Sequence, residues 1–550
     1  MHGTGRPAPG RTRWLSLLAL AGVVLAAVGG GSPAQAGYDR ADQAPTARFQ
    51  PAPCPVAFPG TLTVDCGVLT VPENHMKPNG RTVQLPVAIL RTDATHPKPD
   101  PLVYVTGGPS FNELDIFSAQ FMHHLPASEG RDVILYNQRG VGYAKPNLGC
   151  PELDTVRARI NPFATFDQWL DAVRACHDRL TGHGIDLASY DSEEDAADLN
   201  DLRLALGYDR WNLYVLSAGG EMGLTEMRLF PEGLRSVILD SAVSPLFEFR
   251  GPDSWRGLNR VLEMVFVGCA ANQACASAYP KLRARFYRRV EALRQDPITV
   301  EIRVEGGGTA PLVVEGELLL DVAASCGGDP FCAPGLPGAL DAAAHGDLGV
   351  FFDDWVFAPE PPINGVVAEG KTMSYRCRGS IDFEPDSELQ AAARELPEWR
   401  DHLLTLDYVY PPGTREACKE WKVGRADAAQ HDPAVSSIPT LVLTGKWDSV
   451  IWPVEAARIA STLDHSYLYE FPGIAHFTLA WATFGPNDCP SVIAAEFIAS
   501  PNAEPDSACI ATMADVDFTP SSGPSRSLWL RRTEPWYRVP RSRLWGAPED

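Results

Sequence analysis

The chain has 550 residues, 45% of them hydrophobic and 21% charged, which excludes a disordered or fibrous protein and allows a large buried core. Asp and Glu number 69 against 47 Lys and Arg, a formal charge of −22. That field repels phosphate backbones and anionic bilayers, so neither nucleic acid nor a lipid surface is an expected partner.

Arg6, Arg11 and Arg13 precede a mostly apolar run over 14–28. Gly29-Gly30-Gly31-Ser32-Pro33 breaks the run, and Ala34-Gln35-Ala36 offers a small-residue cleavage site. This pattern predicts a secretory signal peptide over 1–36, cut after Ala36. The run is shorter than the roughly twenty apolar residues a bilayer core requires. An exported chain, free of the membrane once the leader is removed, is therefore expected. All twelve cysteines follow the leader, and an even count in an oxidising compartment predicts disulfides. Sequence neighbours give the pairs Cys54/Cys66, Cys150/Cys176, Cys269/Cys275, Cys326/Cys332, Cys377/Cys418 and Cys489/Cys509. There is no C-x-x-C and no His pair at ligand spacing, which favours bridges over zinc.

Residues 37–60 are rich in Pro and Ala and read as an irregular lead-in. Short runs rich in Val, Leu and Tyr predict strands over 61–64, 83–90, 102–106 and 133–137. Helical patterns follow over 166–180 and 192–206. The acids Glu193, Glu194 and Asp195 suit the start of the second, and Gly207 closes it. Strand 211–216, helix 221–230 and strand 236–240 continue the alternation. The fold class is therefore α/β, a mostly parallel, doubly wound sheet with helices on both faces. From about 247 to 432 helical patterns dominate, over 255–267, 279–294, 336–345 and 387–406, as expected of an inserted helical cap. Strands return over 439–444 and 467–471. The expected division is leader 1–36, core 37–246, cap 247–432, core 433–519 and a C-terminal tail 520–550.

Ser217 lies between an apolar strand and a helix, where a sharp turn would lift its hydroxyl above the sheet. Gly219 and Gly220 permit the close strand–helix contact such a turn needs. The backbone N–H of Ala218 opens the helix and supplies half of an oxyanion hole. Gly107-Gly108-Pro109-Ser110 ends the strand over 102–106, and Gly108 is the candidate for the other half. Asp448 follows strand 439–444, and His476 follows strand 467–471, both at carboxyl ends where α/β sheets collect their sites. The order Ser, Asp, His is that of the α/β-hydrolase fold. In this division of labour His476 takes the Ser217 proton, and Asp448 orients the imidazole and stabilises its cation. No cofactor is called for: the chain has no Walker loop, Rossmann glycine fingerprint or metal-ligand cluster.

These residues, with Cys66-Gly67-Val68-Leu69-Thr70-Val71-Pro72, Gln138-Arg139-Gly140-Val141-Gly142 and Leu206-Gly207-Tyr208-Asp209-Arg210-Trp211-Asn212, give a marked resemblance. The chain resembles α/β-hydrolases of the prolyl aminopeptidase group, especially the secreted tripeptidyl aminopeptidases, over roughly 54–509. The resemblance implies an exopeptidase acting on peptides with a free N-terminus, a helical cap after the sixth strand, and disulfides. The chain departs from the family pattern in carrying Val215 and Ala218 in the elbow, Ser110 after Gly-Gly-Pro, Asn137, Tyr143, and Ala475 before the histidine. Glu221, just after the elbow, is a candidate for holding a substrate ammonium. A carboxylesterase using the same triad and a catalytically silent binding relative are the alternative readings.

Overall fold

The computed structural model describes residues 47–520, apart from 109, 117–127, 129, 158–164, 248–251, 305–307, 353–355, 358–366, 405–414 and 480–487. The expected leader and the expected tail beyond 520 lie outside the described residues.

A nine-stranded sheet organises the molecule, in the order β1-β2-β3-β5-β4-β6-β7-β11-β12. The strands are β1 (Arg48–Pro51), β2 (Thr63–Pro72), β3 (Thr82–Arg91), β4 (Leu102–Val105), β5 (Val133–Tyr136), β6 (Trp211–Leu216), β7 (Leu234–Asp240), β11 (Thr440–Gly445) and β12 (Ser466–Phe471). The first pairings, through β3 with β5, are antiparallel, and those from β5 to β12 are parallel. Every residue of β4, β5, β6 and β11 is buried. Such strands read as near-continuous apolar runs because both faces are covered, with Asn212 in β6 and Thr440 and Thr444 in β11 as the polar exceptions. One face packs on Val103, Val105, Leu213, Val215, Val237 and Val442, and the other on Leu102, Tyr104, Tyr214, Ile238, Leu441 and Leu443.

Helix α1 (Phe166–Gly182) begins at a capping box in which Thr165 and Gln168 exchange hydrogen bonds. Helix α2 (Ser192–Leu206) is capped by the Asp191 side chain on Glu194 N and ends at Gly207, φ 79°. Helix α3 (Gly219–Leu229) follows β6 directly. Between β7 and β11 the chain forms α4 (Pro252–Ala271), α5 (Leu282–Gln295), α6 (Gly316–Gly327), α7 (Leu336–Ala344), α8 (Glu369–Gly379) and α9 (Asp386–Glu395). This inserted segment has its own apolar core, built on Phe266, Phe286, Leu319, Leu340 and Trp399, which also takes in Trp447 and Ala475. No described helix is long and apolar enough to cross a membrane. All six neighbour-to-neighbour disulfides are formed, and no described cysteine is free.

Three local expectations are corrected. The lead-in contains β1, which pairs antiparallel with β2 and lays Phe49 on bare Gly67. The segment expected as helical also holds a three-stranded sheet of β8 (Ile298–Val304), β9 (Thr309–Val314) and β10 (Val356–Phe357). The alternation Ile298-Thr299-Val300-Glu301-Ile302 carried that signal. The single helix expected over 387–406 breaks after α9, because Pro397 starts a separate 3-10 turn (Pro397–Trp399).

Candidate active site

Ser217 sits where β6 turns into α3, with φ 53°, a left-handed conformation unfavourable for an L side chain by about 1–2 kcal/mol. Three backbone bonds hold it. Ser217 N donates to Asp240 O at 3.0 Å, and Ser217 O accepts from Gly220 N and Val243 N, both at 2.9 Å. A β-carbon on Gly219 would come 2.7 Å from Thr106 O, and one on Gly220 would come 2.6 Å from Ala242 Cβ. The turn therefore closes only because those two positions are bare. Val215 is accommodated in the same way. A β-carbon on Gly223, across from it in α3, would lie 3.0 Å from both Val215 γ-carbons.

The imidazole of His476 bridges the other two groups. Its Nε2 is 3.0 Å from Ser217 Oγ, and its Nδ1 is 2.7 Å from Asp448 Oδ2. With the proton on Nδ1 donated to the carboxylate, Nε2 is left to accept the serine O–H. Asp448 is buried, and its Oδ1 accepts from Val450 N at 2.9 Å and Ile451 N at 2.8 Å. Those bonds fix the carboxylate and leave Oδ2 aimed at the ring. The serine residue is 9% exposed, so the hydroxyl–imidazole pair is largely shielded from water.

The loop after β4 lies against this group. A β-carbon on Gly107 would fall 2.5 Å from Ser217 Cβ and 3.2 Å from its Oγ. Gly108 has φ 57°, and the Phe111 ring occupies the space where its β-carbon would stand. Ala218 is buried and leads into α3 on the other side of the serine. Backbone around the hydroxyl thus comes from two different strand ends, as stabilisation of a tetrahedral oxyanion demands.

Several residues that shape the site carried no motif. Asp240, at the end of β7, accepts from Thr478 N at 2.9 Å, Leu479 N at 3.1 Å and Tyr214 Oη at 2.9 Å. It ties the serine turn, through its own carbonyl, to the chain just after His476. Burial pushes its carboxyl above the ordinary range, and the donors from Leu479, Thr478 and Tyr214 pull the other way. The available signal was its position: an acid at a strand's carboxyl end, like Asp448. Glu113 holds the β4 loop from beneath, its Oε2 accepting from Thr106 N at 3.1 Å. Asn137 donates to Asn112 Oδ1 at 2.9 Å and accepts from Tyr143 N at 3.1 Å, so both departures from the family pattern brace the next turn. Glu221 is 3% exposed and enclosed by Ser192, Tyr375 and Gly379. That setting places it in the interface between α2, α3 and α8. Burial raises its carboxyl to about 7, and the nearby hydroxyls of Tyr375 and Ser192 oppose the rise.

Residues 100–268 match the family described as alpha/beta hydrolase fold. The chain has the α/β-hydrolase fold. It is 30% identical over 192 residues to serine protease Hip1 of Mycobacterium tuberculosis, an alignment covering 33% of this chain and 36% of that protein. It is 27% identical over 197 residues to tripeptidyl aminopeptidase of Streptomyces lividans, again covering 33% and 36%. The chain thus spans about a third of the length of these curated relatives. Among solved structures, proline iminopeptidase from Mycobacterium smegmatis aligns at 15% identity with a TM-score of 0.32, over 79% of this chain and 98% of that one. On this fold the serine, imidazole and carboxylate come from the loops after β6, β12 and β11.

Proposed function

We propose that the chain is an exported serine aminopeptidase, of tripeptidyl or prolyl type, acting on short peptides with a free N-terminus. The observation that carries this reading is the hydrogen-bonded run Ser217 Oγ, His476 Nε2, His476 Nδ1, Asp448 Oδ2 at 3.0 and 2.7 Å. Hydrolysis begins as Ser217 Oγ attacks the scissile carbonyl and its proton passes to His476 Nε2. The N–H groups of Ala218 and Gly108 take the oxyanion. The imidazolium, stabilised by Asp448, then protonates the leaving amine, and water repeats the sequence on the acyl-enzyme. No metal or redox group enters these steps. The segment 247–432 serves as a cap over the strand ends. Six disulfides and the expected leader over 1–36 support export. The named relatives, a serine protease and a tripeptidyl aminopeptidase, support peptides as substrates.

The test compares wild type with Ser217→Ala on free and N-blocked tripeptide anilides and on short acyl esters. Wild type is expected to cleave the free tripeptides and to fail on the blocked ones. The variant is expected to lose kcat by roughly 10⁴-fold or more. Equal cleavage of blocked and free peptides, or turnover of esters alone, overturns the aminopeptidase reading.

A further inference from the structure

The inserted segment reaches the β4 loop through residues 367–372. Thr372 Oγ1 donates to Ser110 Oγ at 2.7 Å, and Ala368 N donates to Ser110 O at 3.0 Å. Phe111 and Val367 form an antiparallel bridge beside them. Ser110 is 3% exposed, so both of its oxygens are engaged in a nearly dry site. The grip is anchored elsewhere in the core. Gly370 N donates to Leu148 O at 2.9 Å, and Lys371 Nζ pairs with Asp195 Oδ2 at 2.6 Å, both partners buried. The Phe111 ring covers Gly108 on its Cα side, so a force on Phe111 is passed to the glycine by contact.

We propose that the Thr372–Ser110 hydrogen bond is a latch through which the insertion fixes the β4 loop, making Thr372 and Ser110 positioning residues for the oxyanion site. The inference rests on Ser217 as nucleophile and Gly108 as oxyanion donor. An oxyanion donor acts only when it is aimed before charge develops, and the glycines at 107 and 108 have no side chains of their own to hold them. Glu113 steadies the loop from the sheet side, and the latch steadies it from the insertion side. The serine hydroxyl that makes this possible stands where the resembling family carries a glycine. Loosening the latch lets the Gly108 N–H wander by a fraction of an ångström. Substrate binds as before, and the transition state loses a donor.

The variants are Thr372→Val, which keeps shape and removes the donor, Thr372→Ser, which restores a hydroxyl, Ser110→Ala, and the double variant. Each is assayed on whichever anilide or ester wild type turns over, with fluorophosphonate labelling of Ser217 and the thermal midpoint recorded alongside. Thr372→Val is expected to lower kcat about tenfold with KM within about twofold, the pattern of an interaction made only in the transition state. Affinity for a tripeptide aldehyde, which forms a tetrahedral adduct with the serine, falls by the same factor. Affinity for the free tripeptide product does not. Thr372→Ser recovers kcat, and the double variant is no worse than either single one because both break the same bond. Should Thr372→Val fail to fold, Ser110→Ala alone makes the same test.

An unchanged kcat in Thr372→Val overturns the latch, as does a loss that Thr372→Ser fails to repair. Equal weakening of aldehyde and product overturns it as well. Wild type that neither turns over any substrate nor takes the fluorophosphonate overturns the catalytic reading, and the latch with it.

Discussion

Asp240 and Thr478 are 238 residues apart in sequence and joined by one hydrogen bond, and the same carboxylate accepts Leu479 N and Tyr214 Oη. Its backbone carbonyl meanwhile accepts Ser217 N. One buried residue therefore sets the spacing between the hydroxyl and the imidazole. Replacing Asp240 with Asn puts an amide where two backbone donors converge, leaving at least one of them without an acceptor. An orphaned buried donor costs about 1–3 kcal/mol. Because the orphan sits in the loop carrying His476, the loss is expected to appear in turnover as well as in stability. Asp240→Asn should lower kcat/KM by at least about tenfold, while the urea midpoint falls modestly. Stability loss with full turnover would confine Asp240 to packing. The residue types at 217, 448 and 476 were legible in the sequence because each is a chemically competent side chain within a few residues of the carboxyl end of a strand. Asp240 stands at a strand end too, yet its partners come from a loop whose approach depends on the finished sheet.

Helix α2 shows how an element can be read correctly at its ends and miss its middle. Asp191 and Gly207 mark the termini through local hydrogen bonds and a left-handed φ, both of which follow from neighbouring residues alone. Glu194 and Asp195 suit the start of a helix, but with Asp198 and Asp201 further along they form a stripe of four buried acids. Their partners arrive from distant chain. Arg139 makes two bonds of 2.7 Å to Asp198, His75 contacts Glu194 and Asp201, and Lys371 comes from α8 in the insertion. Nothing local distinguishes a stripe of acids awaiting such partners from one facing water. The Lys371–Asp195 pair spans 176 residues and joins the insertion to the core. Burial pushes the Asp195 carboxyl up to about 6 against the pull of Lys371, and pushes the Lys371 amine down. Both ions are held at a desolvation cost, so removing one partner is worse than removing both. Lys371→Ala is expected to destabilise the protein by about 3–5 kcal/mol in urea unfolding, with Lys371→Met plus Asp195→Leu recovering most of it. A single variant no less stable than the double one would show that the pair contributes nothing as a pair.

For the molecule as a whole, the buried charges give stability a direction with pH. Glu221 is raised from 4.5 to about 7, chiefly by burial, with the nearby hydroxyls of Tyr375 and Ser192 opposing the rise and Asp191 and Asp195 adding to it. His75 is raised from 6.5 to about 9: burial works against its charge, and is outweighed by hydrogen bonds to Asp201 and Glu194 and the field of Asp198. In both cases the folded state keeps a proton that the unfolded chain has released. Stability from Glu221 is complete below about 4.5 and lost as pH rises through about 7, and that from His75 is complete below about 6.5 and lost through about 9. The two windows join end to end, so the unfolding free energy should decline across the neutral range with a slope of up to about 1.4 kcal/mol per pH unit per group. Glu221→Gln keeps the shape and hydrogen bonds of the protonated acid and cannot release its proton. The variant should therefore match wild type near pH 4.5 and exceed it at pH 8, flattening only the lower window. Urea midpoints at half-unit pH steps, at fixed ionic strength, read this directly. A variant curve that runs parallel to wild type from pH 4.5 to 8 would mean that Glu221 is already ionised in the fold, with Ser192 and Tyr375 donating to a carboxylate.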